Sequence, residues 1–297
     1  MKKKWIIGTR SSKLALRQTQ IVLEKLQTMY PPYEFTVKTI KTTGDTVRNK
    51  PLHLIGGKGL FVKEIEEKLL SKEIDMAVHS VKDLPAELER HLFLGAVLKR
   101  EDPRDAFISL NYNKLDEVKD GSKIGTSSLR RKAQILNQNN TLQVVPIRGN
   151  IETRLKKLKT DNLDGIILAS AGIKRLGMEN HISEIIPINI MIPSCGQGAI
   201  GVEIRKEKET MKLLEPINDE QSFREVTIER ALLGRIGGGC HLPLGIHTVI
   251  TGNTVKLYIS MGEDNGILFI HKLYTGNINN IDALITKVFS KLKPGLA

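Results

Sequence analysis

Short apolar runs alternate with amphipathic helical periods through the first two thirds of this chain, and this alternation constrains the fold more than any other feature of the sequence. Runs that predict strands lie at residues 5–7, 35–40, 76–78, 92–97, 123–124, 142–145 and 165–168. Helical periods follow several of them; within residues 14–26, Ala15, Val22 and Leu26 lie on one helix face. Strands that alternate with helices favour parallel sheets with helices on both faces. We therefore expect α/β domains of the doubly wound kind.

The last third of the chain follows a different pattern. Helices are predicted around residues 223–233, ending at three glycines, and over residues 281–292. The segments between them have the pattern of an antiparallel meander, with strands at 248–250, 255–261 and 267–270 and hairpin signals at 252–253 and 264–266. This pattern predicts a small α+β domain with a three-stranded antiparallel sheet.

The length of 297 residues favours two or three domains, at the usual size of roughly 100–200 residues each. Residues 99–105 carry mixed charges around Pro103. This composition predicts a linker between two α/β domains, although a solvated charged turn would have the same composition.

The charge balance favours an anionic partner. Lys and Arg number 45 against 33 Asp and Glu, which gives a net charge of +12. Nucleic acid, a membrane surface and a small polyacid all fit such a surplus. Aromatic residues are only 4% of the chain and are not interleaved with basic segments, which weakens the nucleic-acid hypothesis. A nucleic-acid or anion-binding module without catalytic activity is the alternative function.

The two cysteines, Cys195 and Cys240, exclude a disulfide scaffold and favour the reducing cytoplasm. The apolar part of the N-terminal segment stops after three residues, so a signal peptide is not expected. No apolar stretch approaches the roughly 18 residues of a membrane helix. The histidines and cysteines lack the spacing of metal ligands, so no metal is expected.

Hydroxyl and basic residues follow three predicted strands at the point where a helix begins. Ser, Thr or Asn can cap such a helix while its free N–H groups attract anions, and arginine adds a two-pronged donor for carboxylates. One such strand end is usually ordinary capping, but three in a chain of +12 favour an anion site at the carboxyl edge of the sheets. The candidates are Arg10 and Ser12, then Thr126, Ser128, Arg130 and Arg131, then Arg148, Asn150 and Arg154.

Two further loops carry candidate residues. The glycine loop at 56–59 presents Lys58 ahead of a helix, but its spacing excludes a phosphate-binding Walker motif. Asp83 follows the buried run at 76–78 and would be the single negative charge in a basic cleft, suited to stabilising a developing cation. A surface Lys82–Asp83 pair, contributing under about 1 kcal/mol, is the alternative interpretation.

Cys240 lies between glycines in the segment 237–245, which leaves room around its sulfur for a nucleophilic role or an attached group. A buried structural thiol is the commoner role of an isolated cysteine. We interpret Cys195 as structural.

Taken together, these motifs resemble the porphobilinogen deaminase family over nearly the whole chain. The matching segments are residues 9–16, 56–61, 77–83, 100–107, 125–131, 148–150, 196–199 and 238–240. The resemblance implies two domains similar to periplasmic binding proteins and a third that carries a cofactor cysteine. The implied bounds are 1–98 with 198–216, 103–193, and 217–297.

The resemblance also implies an activity: four porphobilinogen molecules are condensed head to tail, with loss of ammonia, to give hydroxymethylbilane. The implied cofactor is a dipyrromethane held by a thioether at Cys240, in a cytoplasmic monomer that binds neither nucleic acid nor membrane. Asp83 would be the catalytic carboxylate that binds pyrrole N–H groups and stabilises the azafulvenium cation. Binding of cofactor and substrate is expected of Arg10, Ser12, Lys58, Ser80, Lys82, Thr126, Ser128, Arg130, Arg131, Arg148, Asn150, Arg154, Arg175 and Gln197.

Overall fold

The computed structural model describes residues 2–46, 62–237, 242–263, 265 and 267–292. Two predicted features, Lys58 in its glycine loop and Cys240 between its glycines, lie outside these residues. In the part of the chain that the structure describes, no helix is long and apolar enough to span a membrane.

The secondary structure alternates between strands and helices for most of its length. The strands are β1 Lys4–Arg10, β2 Glu34–Ile40, β3 Met76–Ser80, β4 Leu92–Val97, β5 Asp105–Ile108, β6 Lys123–Gly125, β7 Gln143–Val145, β8 Gly165–Ala169, β9 Glu184–Ile185, β10 Ile200–Arg205, β11 Leu244–Thr251, β12 Thr254–Gly262 and β13 Leu268–Asn277. The helices are α1 Lys13–Met29, α2 Thr43–Thr46, α3 Lys63–Leu70, α4 Leu129–Gln138, α5 Ile151–Thr160, α6 Ser170–Arg175, α7 Lys208–Leu214, α8 Glu220–Ile236 and α9 Ile281–Leu292.

The first of two compact units comprises Met1–Glu101 and Ala199–Arg224. Its sheet has the strand order β2-β1-β3-β10-β4. Strand β1 runs parallel to β2 and β3, whereas β10 runs antiparallel to β3 and β4. The sheet is therefore mixed, where the sequence pattern predicted a parallel one. Strand β10 was not predicted, because Gly201, Glu203 and Arg205 interrupt its apolar residues.

Helices cover both faces of this sheet, as the alternation of the sequence predicted. On one face, Val22 and Leu26 of α1 pack with Met76 of β3. On the other face, Ile65 of α3 packs with Ala77, the next residue of the same strand. Successive side chains of a strand point to opposite faces, so one buried strand contributes to both cores.

The second unit comprises Asp102–Gly198 and Glu225–Ala297. One of its sheets has the order β7-β6-β8-β5-β9, with β6 parallel to β7 and β8, and β5 antiparallel to β8. The segment 99–105, which was predicted as a linker, contains the boundary between the two units, between Glu101 and Asp102. Its last residue, Asp105, is already part of β5 and is fully buried.

The second unit also contains the predicted antiparallel meander, in the order β11-β12-β13. Gly252 and Asn253 form the two-residue turn between β11 and β12, where Thr251 pairs with Thr254. Gly252 has φ +56°, a conformation that favours glycine. Apolar residues from this sheet pack with α8 and α9 in a core of their own. The predicted fold class, two wound α/β sheets and a small antiparallel α+β part, is thereby confirmed.

Candidate functional site

The end of β1 carries the first pair of candidate residues in the first unit. Arg10 is the last residue of β1, and Ser12 caps the 17-residue helix α1 by accepting a hydrogen bond from the Ala15 N–H at 3.2 Å. A capped helix begins here because serine oxygen replaces the partner that the first N–H groups lack. The turn therefore places a guanidinium beside a helix N-terminus, which is a favourable position for an anion.

Asp83 lies beside Arg10 because β1 and β3 are parallel neighbours whose carboxyl ends share one edge of the sheet. The chain leaves β3 at Ser80 and makes a single 3-10 turn, Val81–Asp83. The Asp83 Oδ2 lies 4.0 Å from the Arg10 Nη1, and the Asp83 side chain is 37% exposed. The carboxylate thus faces a cation and remains accessible, as a residue that acts on a ligand must be.

A small pocket of about 50 Å³ lies at this edge. Its polar lining consists of Arg10, Ser12, Gln18, His79, Ser80 and Asp83. Gln18 and Ser80 hold each other through contacts of 2.8 and 3.1 Å between their amide and hydroxyl groups. Lys82 is on the same turn as Asp83 but does not line this pocket. Sequence reasoning missed Gln18 and His79; a buried glutamine on the apolar face of α1 is a signal that could have found the former.

The end of β6 carries a second capped helix, in the second unit. Ser128 caps α4 by accepting from the Arg131 N–H at 3.4 Å, and Thr126 Oγ1 accepts from the Ser128 N–H at 3.2 Å. Thr126 is buried, whereas Ser128 is half-buried. The hydroxyl groups predicted from this motif therefore form the N-terminal turn of α4.

Arg130 and Arg131 point into the second unit and pair with Asp105. The Arg130 Nη1 lies 2.7 Å from Asp105 Oδ2, and the Arg131 Nη2 and Nε lie 2.7 and 3.0 Å from Oδ1. Both arginines also donate to backbone carbonyls, those of Ile192 and Ile167, at 2.8 and 3.0 Å. The two guanidinium groups therefore anchor α4 to β5, in addition to any ligand that they bind.

The pKa of Asp105 follows from two opposed effects. Burial would raise this pKa, but the charges and hydrogen bonds of Arg130 and Arg131 hold it well below its ordinary value. Sequence reasoning missed Asp105 as a partner of these arginines, because it assigned the residue to a linker or, alternatively, to a solvated charged turn.

The third predicted strand end is also a helix cap. Asn150 caps α5 by accepting from the Thr153 N–H at 2.9 Å, and Arg154 Nε donates to the Gly149 carbonyl at 2.8 Å. Gly149 has φ +119°, and a Cβ there would lie 2.5 Å from the Thr153 side chain, so glycine is required. The half-buried Arg148 and Arg154 and the exposed Asn150 thus lie together at one turn.

Arg175 and Gln197 make hydrogen bonds where the chain leaves and enters the second unit. The Arg175 Nη2 donates to the Gly198 carbonyl at 2.5 Å, and the Gln197 amide donates to the Pro103 carbonyl at 2.7 Å and to Asp105 at 2.9 Å. Gln197 is almost fully buried. Gln197 therefore fixes the chain around Pro103 and Asp105, and Arg175 holds the last residue of the second unit's first segment, Gly198.

These observations define the class of the protein. Each unit presents arginine, hydroxyl and helix N-terminal N–H groups at the carboxyl ends of its strands, and the first unit adds one accessible carboxylate. This arrangement is typical of an α/β protein that binds a small polyanion, and the carboxylate can stabilise a positive charge on that ligand.

Comparisons with known proteins identify the family. A family model described as porphobilinogen deaminase, dipyrromethane cofactor binding domain, matches residues 5–213, and one described as porphobilinogen deaminase, C-terminal domain, matches residues 223–293. Porphobilinogen deaminase of Desulforamulus reducens is 45% identical over 98% of this chain and 95% of its own. That of Bacillus cereus is 47% identical over 92% and 90%. The chain belongs to the porphobilinogen deaminase family.

Weaker matches occur among solved structures. A TRAP periplasmic solute binding protein from Desulfovibrio salexigens matches with a TM-score of 0.45 and 10% identity, over 75% of this chain and 74% of its own. At this level, the similarity says nothing about the ligand.

Proposed function

We propose that this protein condenses four porphobilinogen molecules head to tail, releasing ammonia at each step, to give the linear tetrapyrrole hydroxymethylbilane. It is then a transferase of tetrapyrrole biosynthesis, as the names of its family and relatives imply. The observation that carries this proposal is the Arg10–Asp83 pair at a pocket in the first unit. A protein that only bound anions would have no use for a carboxylate there.

Asp83 acts on the charge that develops in the reaction. As the carbon–nitrogen bond breaks, its electron pair leaves with ammonia and the pyrrole becomes a cation. A carboxylate about 4 Å from that cation contributes up to roughly 4 kcal/mol at an effective dielectric of 20. Water screens Asp83, whose side chain is 37% exposed, and reduces this value. The same carboxylate can accept hydrogen bonds from pyrrole N–H groups, while Arg10 holds its position.

The basic residues bind the carboxylates of the substrate and of the growing chain. Each charged hydrogen bond contributes about 1.5–3 kcal/mol. Helix N-termini at Ser12, Ser128 and Asn150 add N–H donors. We assign this binding role to Arg10, Ser12, Lys58, Ser80, Lys82, Thr126, Ser128, Arg130, Arg131, Arg148, Asn150, Arg154, Arg175 and Gln197.

The donor set suits a dipyrromethane, which carries carboxylates for arginine and hydroxyl donors and pyrrole N–H groups for a carboxylate acceptor. In the first unit, Arg10 and Ser12 would hold the carboxylates of the dipyrromethane, and Asp83 would accept hydrogen bonds from its pyrrole N–H groups. When bound, the dipyrromethane supplies the carbon to which the first substrate is joined. We place its thioether on Cys240. Cys195 is the poorer candidate, because it is 9% exposed and packs in the core of the antiparallel sheet.

We further propose three domains, 1–98 with 198–216, 103–193, and 217–297, in a cytoplasmic monomer. The third is supported by the separate core of β11, β12 and β13 with α8 and α9. The cytoplasm is supported by the presence of only two cysteines in the chain.

Incubation with porphobilinogen tests the activity. We expect release of ammonia and a product that cyclises to a uroporphyrin-type pigment. Glu87→Gln is the matched control for Asp83→Asn. It neutralises an exposed carboxylate four residues from Asp83 and should consume porphobilinogen as the wild type does. If porphobilinogen is not consumed and the protein instead retards DNA with a steep salt dependence, the alternative binding-module function is correct.

A further inference from the structure

One backbone carbonyl in the second unit, that of Ile192, accepts two hydrogen bonds from helix α4. The Arg130 Nη1 donates to it at 2.8 Å, and the Gln134 amide donates to it at 3.1 Å. The Gln134 side chain also accepts from the Ile192 N–H at 2.8 Å. Gln134 is only 1% exposed and pairs with both backbone polar groups of Ile192, so it holds this residue to α4.

The same carbonyl lies against the antiparallel sheet on its other side. A Cβ on Gly245, the second residue of β11, would lie 2.7 Å from the Ile192 carbonyl oxygen, which is closer than a side chain can come to backbone. The next residue, Ile246, donates its N–H to the Pro193 carbonyl at 2.8 Å. Residues 192 and 193 therefore join α4 to β11.

The Ile192 carbonyl helps to orient Arg130. Within the part of the chain that the structure describes, the Arg130 side chain makes two hydrogen bonds, both from Nη1, to Ile192 and at 2.7 Å to Asp105. Asp105 is itself held by Arg131 and Gln197. Of the five guanidinium donors, the Nε–H and the two Nη2–H groups of Arg130 are then left for a carboxylate ligand. A shift of the Ile192 carbonyl would turn these donors away from that ligand.

The position of β11 matters for the same ligand. Strand β11 begins at Leu244, four residues after Cys240 in the sequence. A group attached at Cys240 and bound by Arg130 depends on the connection between β11 and α4, and residues 192 and 193 form that connection.

We propose that Gln134 and Gly245 are positioning residues for carboxylate binding at Arg130. Gln134 draws the Ile192 carbonyl towards α4, and Gly245 leaves room for it beside β11. Both residues act through Ile192 and do not touch the ligand. This inference rests on the proposed function, because the carboxylate belongs to porphobilinogen or to the dipyrromethane built from it.

Assembly of the cofactor on apo-protein tests the proposal. Apo-protein expressed in cells that make no porphobilinogen is mixed with increasing concentrations of porphobilinogen, and intact mass follows the gain of one dipyrromethane. Gln134→Met keeps the volume but removes the amide, and Gly245→Ala pushes the same carbonyl from the opposite side. Both should raise the half-saturating concentration of porphobilinogen about ten-fold, with little change in the maximal rate, because one charged hydrogen bond is weakened.

Two matched controls should gain the dipyrromethane as the wild type does. Gln138→Met makes the same replacement at an exposed position of α4. Gly234→Ala adds a Cβ that would meet none of the described residues within 4 Å.

A double-mutant cycle separates positioning from a general loss of stability. In the Arg130→Lys background, Gln134→Met should change the half-saturating concentration by less than about two-fold, because lysine has no second nitrogen whose direction the Ile192 carbonyl could fix. Equal effects of Gln134→Met in the two backgrounds would overturn the proposal, as would wild-type half-saturation in both single variants.

Urea unfolding of the same preparations shows whether the variants are folded, and Gly245→Ala enters the cycle if Gln134→Met is not. A wild type that gains the dipyrromethane while both single variants load as it does refutes the positioning role alone. A wild-type apo-protein that gains no dipyrromethane refutes the proposed function, and the positioning role with it.

Discussion

Replacement of Asp105 by asparagine should destabilise the second unit by about 3–5 kcal/mol, the usual cost of breaking a buried ion pair. Asp105 is fully buried, and its carboxylate is the described partner of two guanidinium groups that are themselves only 5% and 7% exposed. Asparagine has the same shape but no charge, so Arg130 and Arg131 would remain buried without a counter-ion.

The contacts of the carboxylate support this magnitude. It accepts from Arg130 at 2.7 Å, from Arg131 at 2.7 and 3.0 Å, and from Gln197 at 2.9 Å. Charged hydrogen bonds contribute about 1.5–3 kcal/mol each, but they act as a unit and do not add. The loss is therefore closer to that of one buried pair than to the sum of four bonds.

Urea unfolding followed by circular dichroism measures the effect. The midpoint of Asp105→Asn should fall at pH 7, whereas Asp116→Asn, at an exposed carboxylate, should stay within about 0.5 kcal/mol of the wild type. The pKa of Asp105 is lowered from 3.8, so its contribution is present above that value and is lost only as the pH falls below it. A loss under about 1 kcal/mol, as for a solvated pair, would refute this account of the arginines.

Three further outcomes follow from the geometry. Asp83→Asn should lower kcat by about 10²-fold or more with a smaller change in KM, and Asp83→Glu should retain more activity than Asp83→Asn. Steady-state kinetics measures both variants, with their cofactor content checked by mass. If Asp83→Asn is as active as the wild type, Asp83 is not the catalytic carboxylate. Burial and the neighbouring charge of Glu203 raise the pKa of Glu66 from 4.5 to about 7, so the folded protein holds the proton on Glu66 more tightly than the unfolded chain does. The resulting stabilisation is present below pH 4.5 and is lost as the pH rises through 7, which lowers the free energy of unfolding by about 3 kcal/mol. In thermal melts, the melting temperature of Glu66→Gln should change less with pH than that of the wild type. An unchanged pH dependence of the melting temperature would contradict the raised pKa of Glu66. Gly149→Ala should lower the free energy of unfolding by about 1–3 kcal/mol, because alanine at φ +119° is strained and its Cβ would contact the Thr153 side chain. A urea midpoint equal to that of the wild type would refute this.

Arg131→Leu separates a structural role from ligand binding. We expect it to prevent cofactor assembly, and the pairing with Asp105 adds an expected loss of stability. A variant that folds normally and lacks the cofactor would show binding alone, whereas one that unfolds early and carries the cofactor would show the structural role alone. Intact mass and urea unfolding on the same preparation measure both.

The sequence predicted the elements that are built from continuous apolar runs, such as β3 and β8, because burial on both faces leaves an uninterrupted pattern. It missed β5 and β10. Strand β5 begins with a buried aspartate whose counter-ions are distant in sequence, and β10 contains a glycine and buried Glu203. In both strands, charges that tertiary partners neutralise conceal the apolar pattern.

The candidate site was predictable to a similar extent. Arg10, Ser12 and Asp83 follow from the rule that parallel strand ends share an edge, and the structure places them together. The inward course of Arg130 and Arg131 was not predictable, because it depends on Asp105 in another strand. His79 and Glu203 meet only through the register of β3 and β10.

Intact mass spectrometry of the purified protein tests the central claim most directly. The wild type and Cys195→Ser should each exceed the mass of the sequence by one dipyrromethane, and Cys240→Ser should have the mass of the sequence alone. Addition of porphobilinogen should then produce further species, each heavier by one substrate unit less ammonia. An unmodified wild type, or a modification that disappears in Cys195→Ser and persists in Cys240→Ser, would contradict the account.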